Sequence, residues 1–166
     1  MPPHEWPKGL PTWIDWLNRE SPRGKVLISC GYIEELLKEV IAAFLIRGKP
    51  KDDLLGGGSA PLGSLWARTR MCFCLGLLSE QEYHDLEIIR GIRNDFAHQV
   101  DTTFEMQSIK DRCANLKLKM PNAPDGATQW VSAAAVLIIH LGQRAQDLKG
   151  KNVLVPLQHT TEWKSA

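Results

Sequence analysis

Apolar positions recur every three to four residues along most of the chain, a spacing that collects them on one face of an α-helix. The longest such run lies between Lys25 and Ile46, where Val26, Cys30, Ile33, Leu37, Val40, Ile41, Phe44 and Leu45 form a stripe. It predicts an amphipathic helix of about six turns, ended by Gly48-Lys49-Pro50. A second helix is expected over about 62–77, with Leu65, Thr69, Cys72, Phe73 and Leu77 inward and Ser64 or Ser59 as its cap. Ser79 and Glu82 make a capping box for the next, which carries Tyr83, Leu86, Ile89, Ile92 and Phe96 and runs to about His98. Asp101-Thr102-Thr103 stands where a cap for a helix over Phe104–Leu118 belongs. Trp130, Ala134, Leu137, Ile138 and Leu141 mark a final long helix over about Thr128–Leu148.

A short aromatic segment, Trp13-Ile14-Asp15-Trp16-Leu17, adds a first helix after Pro11, with Thr12 as its cap. The breaks between these runs are short and rich in Gly, Pro, Asn and Asp. The expected fold is therefore all-α, a single-domain bundle of five or six helices. Residues 1–20 form a Trp- and Pro-rich segment with a short helix, 21–150 the helical domain, and 151–166 a tail. In that tail Val153–Leu157 is β-prone but meets Pro156, so an edge strand and an irregular tail are both open.

Composition adds limits. The chain has 166 residues, 43% hydrophobic and 23% charged, which suits one domain with a real core and argues against wholesale disorder. The formal net charge is +1, without the basic excess of a non-specific duplex binder. The opening Met1–Pro7 carries three prolines and no apolar core of signal-peptide length. The apolar stretches Val40–Ile46 and Val131–Leu141 fall short of the roughly 20 residues that span a bilayer. A cytoplasmic protein without a membrane segment is expected. Four cysteines, Cys30, Cys72, Cys74 and Cys113, read as small core residues rather than disulfides. Cys72 and Cys74 would project about 200° apart on a helix, a poor start for a metal site, and no metal or other cofactor is expected.

Phosphate-binding and zinc-protease signatures are missing, and Gly56-Gly57-Gly58 has no following lysine, so it reads as a turn. Chemistry concentrates in Ile89-Arg90-Gly91-Ile92-Arg93-Asn94-Asp95-Phe96-Ala97-His98. Arg90, Asn94 and His98 stand four residues apart and make one polar ridge, with Arg93 beside it and Asp95 directed elsewhere. Gly91 weakens the helix by about 1 kcal/mol relative to alanine, which suggests close approach of a neighbouring helix or a second subunit. The plain alternative is a histidine favoured by the helix dipole and arginines paired with carboxylates. His84 and His140 read as satisfied histidines, His140 in the interior, and Trp66 and Trp130 as core or interface aromatics.

Arg93-x-x-x-x-His98 resembles the R-x(4–6)-H motif of the HEPN superfamily, with Asn94 as the polar residue after the arginine. That resemblance implies a metal-independent ribonuclease site shared by two protomers. In it His98 works as general acid–base, Arg93 steadies the phosphorane charge and Asn94 orients them. Arg68, Arg70 and Arg90 would guide the RNA backbone. A wider stretch, Pro61-Leu62-Gly63-Ser64-Leu65, Arg68, Leu75-Gly76-Leu77-Leu78-Ser79-Glu80-Gln81-Glu82-Tyr83-His84-Asp85-Leu86 and Arg93–His98, resembles the mannitol operon repressor (MtlR) family. With the preceding long helix this likeness covers about 25–115. It implies an all-helical regulator of transcription. No helix-turn-helix is recognisable, so repression through a protein partner is expected rather than operator reading. The alternative is the HEPN-type endoribonuclease, a toxin or defence effector held by an antitoxin. A homodimer is expected on that reading, and a structural dimerisation module is the blandest one.

Overall fold

The computed structural model describes residues 10–57 and 59–150. Among them are seven helices and no strand: α1 (Leu10–Asn18), α2 (Pro22–Phe44), α3 (Lys49–Leu55), α4 (Leu65–Cys74), α5 (Glu80–His98), α6 (Gln107–Asn115) and α7 (Gly126–Gly150). The all-α expectation holds, with one helix more than expected. The addition is α3, in the stretch where Gly48-Lys49-Pro50 signals only an end. Pro50 falls at the first helical positions, where its missing N–H has no bond to lose, so the same residues that stop α2 start α3. The β-prone Val153–Leu157 and the prolines before Gly9 lie outside the described residues.

The long helices α2 and α7 pack along each other at the centre, and α4 and α5 cover α2. Val26, Ile33, Leu37, Val40 and Ile41 of α2 are fully buried with Leu86, Ile89, Ile92 and Phe96 of α5 and Trp130, Leu137 and Leu141 of α7. Leu17 is also fully buried, so α1 joins this core. Helix α1 begins at Leu10, which places Thr12 inside the helix rather than at its cap.

Helix ends are secured largely as the sequence signals them. Ser21, Ser64 and Ser79 accept hydrogen bonds from Gly24, Ala67 and Glu82 amides, and the Ser79–Glu82 box is closed in both directions. Gly76, at φ 69°, lets α4 end with the Leu77 amide donating back to Cys72 and the Gly76 amide to Phe73. Thr102 departs from its expected role. Helix α6 starts only at Gln107, and the Thr102 hydroxyl instead donates to the Asp95 carbonyl, closing the end of α5.

Candidate functional site

The segment singled out by sequence forms the C-terminal half of α5, an unbroken helix that puts Arg90, Asn94 and His98 on one ridge. Its end is held from three sides. Arg23, from the first turn of α2, donates to the carbonyls of Gln99 (2.7 Å) and Val100 (3.0 Å). Thr102 closes the Asp95 carbonyl, and Arg112 of α6 forms a short ion pair with the Asp95 carboxylate. Asp95 therefore faces α6, away from the ridge. Gly91 finds its reason in the same place: a Cβ there would stand 3.3 Å from an Arg112 guanidinium nitrogen. The close neighbour is α6 of the same chain.

The Arg93 guanidinium donates to Asn94 Oδ1 at 3.3 Å, a half-buried contact. Arg93 also stands near Cys30 of α2, whose thiol burial pushes up to about 12 despite the opposing pull of the arginine. His98 is exposed at the last helical position, beside the carbonyl end of the helix. Arg93 and Asn94 are half-buried and His98 is exposed, all three within the last two turns of α5.

The three arginines proposed as guides part company. Arg68 is only 6% exposed; its Nε donates to the Leu62 carbonyl at 2.8 Å and another nitrogen to the Glu34 carbonyl at 3.0 Å, with Glu34 Oε1 at 3.6 Å. It ties the turn before α4 to α2 and has no free fork for a phosphate. Arg90 is half-buried against Glu87 at 3.3 Å. Arg70 is exposed, its guanidinium 4.7 Å from the Trp66 ring centre.

Two buried carboxylates were not singled out by sequence as parts of a network. Glu82 is almost fully buried and takes the Ser79 amide (2.8 Å), Arg144 (3.1 Å) and His140 Nδ1 (3.2 Å). Burial works to raise its pKa, but the Ser79 amide and the Arg144 guanidinium hold it below the usual carboxylate range. His140 is consequently half-exposed on α7, not interior as its apolar run suggests. Asp85 is fully buried and accepts from the Lys117 and Leu118 amides at 2.8–3.0 Å and from His84 Nδ1 at 3.0 Å. The capping box was the visible trace of Glu82. Asp85 left none, because its donors are backbone amides 32 residues away or more.

No family model matches the chain. The mannitol operon repressors of Escherichia coli K12 and of Escherichia coli O6:H1 are each 32% identical to it over 72 residues. The chain resembles the mannitol operon repressors. That match takes in 39% of this chain and 37% of the length of each relative. A chain of the X-ray structure of the MtlR–HPr complex from Escherichia coli superposes with a TM-score of 0.60, covering 84% of this chain and 98% of that one, at 17% identity. At that identity the likeness is one of fold.

Proposed function

We propose that this protein is a regulator of the mannitol-repressor type that acts through a protein partner. The observation that carries this reading is the likeness to the mannitol operon repressors, joined to a fold shared with a chain of the MtlR–HPr complex. The near-neutral charge supports a protein partner over an operator, because duplex binding draws its affinity from phosphate neutralisation. The test is calorimetric titration of the purified chain with HPr, beside a gel-shift assay on promoter DNA. Saturable HPr binding without a DNA shift is the expected result. A salt-sensitive, sequence-specific DNA shift without HPr binding sinks the reading.

A second reading is favoured by the Arg93–Asn94 contact and the exposed His98: a homodimeric, metal-independent endoribonuclease with an antitoxin-like partner. Here the His98 imidazole takes a proton from the RNA 2′-hydroxyl as it attacks the adjacent phosphate, and Arg93 carries the developing charge. The P–O5′ bond breaks as the 5′-oxygen leaves with a proton from the His98 of the other protomer. Of the three expected guides, Arg90 is left to contact the RNA backbone beside this end of α5, because Arg68 is clamped and Arg70 lies on Trp66 of α4. RNA incubated with the protein in EDTA should then yield 2′,3′-cyclic phosphate ends, with loss of at least a hundredfold in Arg93→Ala and His98→Ala. Absence of cleavage by a folded wild-type protein removes this reading and leaves the first untouched.

A further inference from the structure

Helix α4 buries Leu65, Arg68, Thr69 and Cys72 and turns a different stripe outward. Trp66, Arg70 and Phe73 are spaced four and three residues apart along that stripe. Trp66 is 46% and Phe73 37% exposed, a large amount of aromatic surface for one short helix to leave uncovered. The stripe continues onto α5, because Tyr83 stacks on Phe73 with ring centres 4.3 Å apart and planes inclined by 24°. Tryptophan, tyrosine and arginine together are the residue types that anchor protein–protein contacts.

The charges on this face decide what covers it. Arg70 lies over the Trp66 ring and has no carboxylate partner among the described residues. Glu80 is exposed one helical turn before Tyr83, on the same side of α5, and likewise has no cation partner among them. A face bearing one unpaired charge of each sign around an aromatic centre is complementary to its own image. A two-fold axis through such a patch sets the arginine of each copy against the glutamate of the other. A nucleic acid finds a single unpaired cation here, too little to follow a phosphate backbone.

We infer that the Trp66–Arg70–Phe73–Tyr83 face is where a second copy of this chain docks, with Arg70 of each copy paired to Glu80 of the other. This goes beyond the regulator reading, and the dimer differs from the one the ribonuclease reading requires, in which the Arg93–His98 ends themselves meet. It lies at the opposite end of α5 from His98, so the dimer contact and the Arg93–His98 end are separate surfaces.

Sedimentation velocity across the micromolar range tests it. Wild type should dimerise, and Trp66→Ala or Arg70→Glu should raise the dimer Kd by about tenfold or more. All these side chains are exposed or half-buried, so circular dichroism should confirm unchanged helicity. The double variant Arg70→Glu/Glu80→Arg reverses both charges and should restore dimerisation. Cys74, on the same side of α4 and the one exposed cysteine of the four, supplies a second readout. A short bis-maleimide should join two wild-type chains through Cys74 and fail with Cys74→Ser. A monomeric wild type overturns the proposal. A dimer that survives both single variants, or one the double variant does not recover, overturns this face alone.

Discussion

Glu82 shows how much a single side chain is asked to do. It closes the capping box of α5 and, through Arg144 and His140, fastens that helix to α7. Its folded pKa lies below the ordinary 4.5, so folding favours the ionised form. That contribution is complete above the unfolded pKa and is lost as pH falls through the folded value. Glu82→Gln should therefore lower stability at pH 7, and the deficit relative to wild type should shrink below about pH 4.5. Urea midpoints at pH 7 and at pH 3.5 measure this; an equal deficit at both would contradict it. The cysteines divide in a related way. Burial pushes the Cys30 and Cys72 thiols to about 12 and Cys113 to about 11, whereas Cys74 is exposed. A thiol-exchange reagent at pH 8 should titrate one thiol quickly in native protein and all four only after unfolding. Core readings were right for three of these positions; Cys74 escaped because two residues along a helix nearly reverse the direction of a side chain.

The elements are joined by polar contacts between distant parts of the chain as much as by their apolar faces. Lys25 donates to the carbonyls of Leu17, Asn18 and Glu20 at the end of α1, Arg23 closes α5, and Lys119 closes α6 through Ala114 and Leu116. Each puts a cation where carbonyls lack helical partners. Asp85 does the reverse, taking amides just beyond α6 into the side of α5. Asp85→Asn keeps the volume but removes the charge that strengthens those bonds, and should cost about 2 kcal/mol in urea denaturation. A change below about 0.5 kcal/mol would mean that the segment after α6 is held by packing alone. Helix starts were readable wherever a serine cap stood next to its amide, as with Ser64 and Ser79. Thr102 was misassigned because a hydroxyl next to a loop is equally able to finish the previous helix.

Across the molecule, α2 is the element against which α1, α3, α4, α5 and α7 assemble, while α6 packs on α5 and α7. Leu37 is fully buried there, and its carbonyl also faces the Cys72 thiol of α4 at 3.8 Å. Leu37→Ala should destabilise the protein by about 2–5 kcal/mol, the range for a cavity in a core that cannot collapse around it. The loss should appear as one cooperative transition shared by circular dichroism and tryptophan fluorescence, since Trp130 sits in the same core. Separate transitions would show that α4 and α5 unfold apart from α2 and α7.

The hydrophobic period by itself determined the all-helical class, the long helices and most of their inward faces, because burial of one stripe is a property each helix carries locally. It also brought Arg93, Asn94 and His98 to one helix end, since their spacing is shorter than two turns. What only the tertiary structure decided depends on partners far away in the chain. Arg68 and Arg70 are two residues apart on α4, yet one is clamped to the Leu62 and Glu34 carbonyls and the other lies open on Trp66. Trp130 is sealed in the core while Trp66 is left outside, although both stand in helical stripes. Which side of a helix meets its neighbours is fixed by the packing of all the helices together, and no local pattern contains that information.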